Sequence, residues 1–177
     1  MDMEVIIFEG IDHTGKSTRI QKVKEELEAG GLKVKVVAVD GSHPNTFEAF
    51  KNEVERAEEE GFNVIIFDRW AIGEILYGNS YRGTSRISLE EIIQLLDTYE
   101  STIYIRYVKE EDFPEYAKRL EFRDFGVLIT DEEHLKNIYD VKRVEQGFFK
   151  ALIDVLKFSH VGAQINEDYF NVSDDYE

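Results

Sequence analysis

Near its start the sequence contains the stretch Gly10-Ile11-Asp12-His13-Thr14-Gly15-Lys16-Ser17-Thr18. Its spacing, G-x-x-x-x-G-K-S, is the pattern of a phosphate-binding loop. An apolar run at residues 5–8 predicts a buried strand before the loop, and Ile20, Val23 and Leu27 recur after it at helical spacing. The alternative is an ordinary glycine-rich turn, but strand, loop and helix occur in the order that the motif requires. The stretch therefore predicts a site for the phosphates of a nucleoside triphosphate.

Each residue type in this loop has a chemical reason. Gly10 and Gly15 allow the chain to turn tightly and bring its N–H groups against phosphate oxygens. Lys16 is expected to reach the β- and γ-phosphates, and the hydroxyl of Ser17 to bind Mg²⁺. The first turn of the following helix adds a positive partial charge. We predict that the nucleotide is bound by Gly10, Asp12, His13, Thr14, Gly15, Lys16, Ser17 and Thr18.

The composition is typical of one globular domain over residues 1–177. The sequence has no apolar run long enough to span a membrane, and its start predicts a strand rather than a signal peptide. It has 0 cysteines, which excludes disulfides, thiolate catalysis and a cysteine-based zinc site. We expect a cytoplasmic protein with no membrane partner.

The charge is strongly negative, because 37 acidic residues face 21 basic ones and the formal net charge is −16. Such a surface repels a polyanion, so we expect no nucleic-acid partner. Lysines and arginines near the phosphate loop are correspondingly good candidates for substrate contacts.

Strand and helix patterns alternate along the chain. Strands are predicted at residues 5–8, 32–39, 63–70, 102–108 and 161–166, and helices after the loop and at 46–61, 72–77, 89–99, 116–122 and 135–158. Residues 78–83 and 123–131 are predicted loops, and the last helix carries Ile138, Val141, Val144, Phe148, Leu152, Val155 and Leu156 on one face. This alternation predicts an α/β fold, a parallel sheet with helices on both faces.

A charged pair, Asp68-Arg69, ends the third predicted strand. Active residues of such sheets gather at the carboxyl ends of the strands, so the pair is expected near the phosphate loop. Asp68 can hold Mg²⁺ through water or accept a proton, and Arg69 can bind a phosphate in bidentate fashion. The alternative is a salt bridge that only closes the strand end.

Two segments together, Phe8-Glu9-Gly10-Ile11-Asp12 leading into Gly15-Lys16-Ser17-Thr18, and Asp68-Arg69-Trp70, resemble the thymidylate kinase family of nucleoside monophosphate kinases. The resemblance implies a three-layer P-loop fold with a five-stranded parallel sheet and a lid at about residues 114–134. It also implies ATP as phosphoryl donor, Mg²⁺ as cofactor, dTMP as a small-molecule acceptor, and a homodimer.

By position, the resemblance assigns the acceptor's sugar hydroxyl to Asp12 and its phosphate to Arg69, with Trp70 and Tyr77 beside the acceptor. Segment 118–123 resembles the start of the lid.

Within the lid, Arg119 and Arg123 would share one helix face and close over the transferred phosphoryl group. The alternative is a surface helix in which Arg119 pairs with Glu115. Arg143, on the helix that follows, is a weaker candidate.

Three departures from the family pattern stand out. No R-E-P-G-like segment follows the second strand, where residues 39–44 read V-D-G-S-H-P. His13 occupies a loop position where one branch places an arginine, and a neutral imidazole cannot replace that charge. This points to Arg119 or Arg123 as the catalytic cation. Gly73 stands where a serine is usual and Glu74 follows it, so the acceptor pocket is expected to differ.

The sequence thus predicts a deoxynucleoside monophosphate kinase, with dTMP as the first candidate acceptor. Its acceptor oxygen already belongs to a phosphate, so Asp68 is assigned to Mg²⁺ or to orienting an arginine rather than to base catalysis. Two alternatives stay open. One is a deoxynucleoside kinase with Asp68 as base, and the other is an ATP-binding regulatory protein without a small acceptor.

Overall fold

The computed structural model of the chain describes residues 3–12, 14–125, 132–159 and 161–171, without the side chains of 121–125, 132, 134 and 135. The elements, in chain order, are β1 Glu4–Glu9, α1 Lys16–Ala29, β2 Val34–Ala38, α2 Phe47–Glu59, β3 Val64–Asp68, α3 Ala71–Arg82, α4 Leu89–Thr98, β4 Glu100–Val108, a short 3₁₀ turn Glu110–Asp112, α5 Phe113–Phe125, α6 Glu132–Phe158 and β5 Gln164–Phe170.

The five strands form one parallel sheet in the order β2-β3-β1-β4-β5. This confirms the predicted α/β fold. β1 and β3 are buried on both faces, as their unbroken apolar sequences require. The register pairs Phe8 with Asp68, so the phosphate loop and the Asp68-Arg69 pair leave neighbouring strands side by side.

Helix α3 is longer than the sequence predicts, and the predicted loop at residues 78–83 is wrong. The helix continues to Arg82 and ends at Gly83, whose φ of 76° is left-handed. Arg82, at the end of the helix, reaches back along it to bond the buried carboxylate of Glu74. Composition suggests a loop here, and the bond between Glu74 and Arg82 favours the helix.

Helix α6 buries only part of the apolar face that its spacing predicts. Leu156 of that face is buried and Ile138 and Leu152 pack partly buried against the core, where Phe149 and Ile153 join them. The side chains of Val141, Val144, Phe148 and Val155 are 42–57% exposed. The helix has more apolar residues than one face can hold, and only one side of it packs on the rest of the chain.

Other element boundaries follow local chemistry. Thr46 and Ser88 cap α2 and α4, each accepting a main-chain N–H of the first turn. β5 begins and ends later than the predicted 161–166, because it pairs with β4 until Phe170 lies beside Val108. Of the helices described, none is long and apolar enough to cross a membrane.

Candidate active site

Two glycines shape the phosphate loop at residues 10–15. Gly10 has a φ of 124°, and a Cβ atom there would lie 3.1 Å from the carbonyl oxygen of Arg106. Gly15 has a φ of 76° where the loop enters α1. Both positions strain any residue that carries a side chain, so the motif's glycines are required by backbone geometry.

Lys16 lies inside the loop, with only 8% of its surface exposed. Its Nζ donates to the carbonyl oxygens of Ile11 (2.8 Å) and Gly10 (3.3 Å). Burial and the nearby Arg69 charge lower the pKa of Lys16 to about 8, although carboxylates including Asp12 oppose that shift. The carbonyl oxygens of the phosphate loop thus fix the position of the ammonium group.

Asp12 is the centre of the charged network. Its carboxylate is bonded by the guanidinium of Arg69 and approached by Lys142 Nζ at 3.5 Å. Burial alone would raise the pKa of Asp12, but Arg69, Lys142 and Lys16 together lower it. Asp12 is therefore ionised and holds two cations at the mouth of the loop.

Arg69 reaches this position through an unusual backbone conformation. Its φ is 70°, a left-handed value that is uncommon for residues other than glycine. Its main-chain N–H donates to the carbonyl oxygen of Phe8 (2.9 Å), which ties the end of β3 to β1. Strained residues of this kind concentrate at functional sites.

Helix α6 contributes groups that the sequence did not reveal. Lys142 Nζ lies 3.3 Å from Glu145 Oε2, and the hydroxyl of Tyr77 donates to the same oxygen at 3.3 Å. Lys142 is separated from Asp12 by 130 residues and is one of many charges on a long helix. No local pattern distinguishes it from a surface lysine.

Glu9 is a buried carboxyl behind the loop. Its Oε2 accepts the main-chain N–H of Gly73 (2.5 Å) at the start of α3. A Cβ atom on Gly73 would lie 3.3 Å from Glu9 Oε1, so the glycine makes room for this contact. Burial raises the pKa of Glu9 to about 7, against hydrogen bonds from Gly73 and Trp70 and the charges of Arg69 and Lys16.

The raised pKa of Glu9 has a measurable consequence. The folded state binds this proton more tightly than the unfolded chain, so the contribution of Glu9 to stability is full below pH 4.5 and is lost as the pH rises through 7. Between pH 4.5 and 7.5 we expect the free energy of unfolding to fall by roughly 2 kcal/mol more in the parent protein than in Glu9→Gln. Denaturant titrations across this range test it, and parallel curves for the two proteins would refute it.

Helix α5, which carries the predicted start of the lid, lies beside the phosphate loop. Tyr116, buried in α5, donates its hydroxyl to the main-chain carbonyl of Asp12. Arg119 Nε bonds to Glu115 Oε1 at 2.6 Å, which is the surface pairing considered as the alternative for this helix. The predictions for His13 and for the side chain of Arg123 lie outside the described residues.

Ser17 and Asp68 provide the oxygen atoms expected of a magnesium site. Ser17 is exposed at the second position of α1. Asp68 lies close enough to Lys16 for its charge to oppose the lowering of the pKa of Lys16. Across the part of the chain that the structure describes, no cluster of three or more histidine, cysteine or acidic side chains could hold a metal. This donor set fits Mg²⁺, which usually keeps several waters and binds one or two protein oxygens together with phosphates.

The remaining predicted loop residues differ in their surroundings. Thr14 is buried and its hydroxyl donates to the carbonyl of Ile11 at 3.2 Å, so its side chain braces the loop. Thr18 is exposed on the first turn of α1.

A cavity of about 460 Å³ opens beside Asp12 and Arg69. It contains three of the four residues expected to contact an acceptor. Its walls are formed by Glu9, Val39, Asp40, Gly41, Asn45, Arg69, Trp70, Gly73, Glu74, Tyr77, Tyr81, Arg82 and Arg86. Two of these residues are arginines that the sequence-based predictions did not place there: Arg82, at the end of α3, and Arg86, which follows the helix.

The sheet order, the strand–loop–helix unit and the pair after β3 define a three-layer P-loop fold. In sequence, the chain is 29% identical to a thymidylate kinase from Caldicellulosiruptor saccharolyticus, over 58% of this chain and 61% of that protein. This relative confirms the resemblance that the motifs indicate. The chain spans less than two thirds of the relative's length.

Two solved structures share the fold. The YorR protein of Bacillus subtilis, solved in complex with phosphorylated GDP, matches with a TM-score of 0.58 and 17% identity over 96% of this chain and 86% of that one. Polyphosphate kinase 2 from Arthrobacter aurescens TC1 matches with a TM-score of 0.57 and 13% identity over 94% and 60%. No protein-family model matches the sequence.

Proposed function

We propose that this protein transfers the γ-phosphoryl group of ATP to a nucleoside monophosphate. The observation that carries the proposal is the Asp12–Arg69 pair, which joins the phosphate loop to the wall of the 460 Å³ cavity. A phosphate loop alone indicates nucleotide binding. Arg69 is held beside the phosphate loop and lines this cavity, so it adds a place for the phosphate of an acceptor.

The charges of the site suit such a transfer. Lys16 would neutralise the β- and γ-phosphates of the donor, while Arg69 and Lys142 would hold the acceptor phosphate in line with it. An oxygen of the acceptor phosphate forms a bond to the γ-phosphorus as the bond to the β-phosphate oxygen breaks. Because that attacking oxygen is already anionic, no general base is required, and Asp68 is left for the metal.

Ser17 and Asp68 would hold the Mg²⁺ ion, which supplies charge neutralisation on the donor phosphates. We assign the remaining positive charge to the lid, to Arg119 or Arg123. For Arg119, this assignment requires the exposed pairing with Glu115 to open, and pairs of that kind stabilise a protein by less than about 1 kcal/mol.

The motif resemblance and the name of the curated relative suggest dTMP as the first acceptor to test. Because Gly73 and Glu74 depart from the family pattern, we propose a nucleoside monophosphate as acceptor and leave its base to the polar groups of the cavity. The test is a coupled ATP-consumption assay with nucleosides and nucleoside monophosphates, both ribo and deoxy. We expect ATP consumption that depends on a monophosphate. Consumption that depends on a nucleoside would indicate a kinase acting on a hydroxyl group, and slow consumption without any acceptor would indicate an ATPase.

We further propose that the protein is a homodimer through an apolar face of α3 and α6. This face consists of Leu76, Tyr81, Val141, Val144, Phe148 and Leu152, and Tyr81, Val141, Val144 and Phe148 are each more than half exposed. Two shallow cavities of about 340 and 290 Å³ run along it. Large exposed apolar patches mark interaction sites, and the family resemblance implies a homodimer, so we assign this face to the contact with a second copy.

Phe148→Glu should convert the dimer to a monomer, because it places a charge on the apolar face of α3 and α6 that the dimer would bury. Analytical ultracentrifugation measures the mass, and Phe158→Glu is the matched control, since Phe158 is 85% exposed at the end of α6. A parent protein that is already monomeric at tens of micromolar would contradict the proposal.

A further inference from the structure

Glu74 lies in the wall of the proposed acceptor cavity, on the turn of α3 that follows Gly73. Its side chain is only 5% exposed. Its Oε1 accepts two hydrogen bonds, one from the guanidinium of Arg82 and one from the main-chain N–H of Arg86 (3.0 Å). A buried carboxylate needs such partners, and these fix its orientation in the cavity wall.

The second oxygen of this carboxylate is differently placed. Among the residues that the structure describes, Glu74 Oε2 receives no hydrogen bond. A carboxylate oxygen can accept at two lone-pair positions, so Oε2 gives this residue of the cavity wall acceptor capacity that the described part of the protein does not use. Arg82 is 37% exposed, and only one of its terminal nitrogens bonds to Glu74, so its other N–H groups can reach a ligand.

The acid–arginine pair packs against a glycine of the same helix. A Cβ atom at Gly78 would lie 2.8 Å from Glu74 Oε1, 2.9 Å from an Arg82 nitrogen and 3.0 Å from the main-chain carbonyl oxygen of Thr84. A larger residue at this position would therefore have to displace the pair.

We propose that Glu74 and Arg82 recognise the base of the acceptor and that this base is guanine. The inference rests on the proposed function, which places a nucleoside monophosphate in this cavity with its phosphate at Arg69. Guanine presents two adjacent donors, N1–H and the 2-amino group, beside the acceptor O6. The two donors match Glu74 Oε2, and O6 matches the remaining N–H groups of Arg82.

The other bases fit this edge less well. Thymine and uracil have one N–H between two carbonyl oxygens, so a carbonyl would face the carboxylate. Adenine and cytosine place a ring-nitrogen lone pair beside their amino group, which repels the same oxygen. Hypoxanthine keeps N1–H and O6 but lacks the 2-amino donor. A comparison of hypoxanthine with guanine therefore measures the contribution of the 2-amino group alone.

Aromatic side chains complete the cavity without selecting a base. Trp70, Tyr77 and Tyr81 line it, and the rings of Tyr77 and Tyr81 are stacked with centroids 6.0 Å apart. Stacking on aromatic faces tolerates every base, because each has a π-face. The choice among bases thus depends on the polar groups, of which Glu74 and Arg82 form a matched acceptor and donor.

The experiment compares kcat/KM for dGMP, GMP, dIMP, dTMP, dAMP and dCMP in the parent protein, in Glu74→Gln and in the control Glu90→Gln. Glu90 is exposed on α4 and lies outside the cavity. We expect a guanine acceptor to exceed dTMP by at least about 10²-fold and dIMP by about tenfold. Glu74→Gln should reduce the preference for dGMP over dTMP by about 10- to 100-fold, because an amide offers both a donor and an acceptor to thymine.

Isothermal titration with the same monophosphates separates this inference from the proposed function. Guanine binding that weakens in Glu74→Gln but supports no turnover would uphold the base assignment and reject the kinase. Turnover that favours dTMP, or a guanine preference unchanged in Glu74→Gln, would overturn the base assignment and leave the kinase in place. Absence of both binding and turnover would reject both. Should Glu74→Gln fail to fold, Arg82→Met, at a more exposed position, is expected to lower guanine affinity through the O6 contact.

Discussion

Lys16→Ala is expected to lower the rate of phosphoryl transfer by about 10³-fold. The ammonium group lies within the phosphate loop, bonded to the carbonyls of Gly10 and Ile11. The negative charge of the donor phosphates would lie next to it during transfer. A preorganised cation in a buried site stabilises the transition state more than the same charge in water does. Steady-state kinetics at saturating ATP and acceptor measure this loss.

The same substitution should leave the fold intact. Burial disfavours the charged form of Lys16, as its pKa of about 8 shows, so removal of the charge relieves a cost in the folded state. We expect the melting temperature to stay the same or to rise slightly. Lys22→Ala, at an exposed position of the same helix, serves as the control. Turnover in Lys16→Ala close to that of the control would refute the role of the loop.

Arg69→Ala is expected to reduce kcat/KM for the acceptor by about 10²- to 10³-fold while the KM for ATP changes little. The guanidinium is held by Asp12 at the boundary between the phosphate loop and the cavity, so its loss removes a cation from the acceptor side. Alanine and arginine pay a similar strain at a φ of 70°, so the backbone should keep its course.

Two further variants show whether the loss in Arg69→Ala comes from the missing guanidinium at the acceptor site. Arg69→Lys keeps the charge without the bidentate geometry and should fall between the parent and Arg69→Ala. Arg56→Ala, exposed at the end of α2, should match the parent. If Arg69→Ala lowered stability but left acceptor kinetics unchanged, the Asp12–Arg69 pair would be a structural salt bridge.

The fold could be predicted from the sequence because its signals are local. The G-x-x-x-x-G-K-S spacing fixes a strand, a loop and a helix, and unbroken apolar runs identify β1 and β3 as buried parallel strands. The position of Asp68 and Arg69 followed from these elements, because carboxyl ends of parallel strands meet at one edge of the sheet.

The predictions were wrong for the buried face of α6 and for the end of α3, because contacts with distant parts of the chain determine both. The exposed face of α6 is as apolar as a core face, and periodicity reports which residues are apolar but not what covers them. The last turn of α3 carries residues typical of loops, yet the bond between Arg82 and the buried Glu74 favours the helix.

The polar network was visible only in part for the same reason. Lys142 meets Asp12 across 130 residues, and Tyr116 meets it across 104. Glu9 is part of the quoted motif, but its role depends on the N–H of Gly73, which the fold brings to it. Such contacts have no sequence period, so no pattern predicts them.

The most direct test of the proposed reaction follows the phosphoryl group itself. The protein is incubated with ATP labelled at the γ-phosphate and, in separate reactions, with each nucleoside monophosphate and each nucleoside, and the products are separated by chromatography. The account predicts label in a nucleoside diphosphate, with its formation lost in Lys16→Ala. Label found only in inorganic phosphate, or only in a monophosphate formed from an added nucleoside, would contradict it.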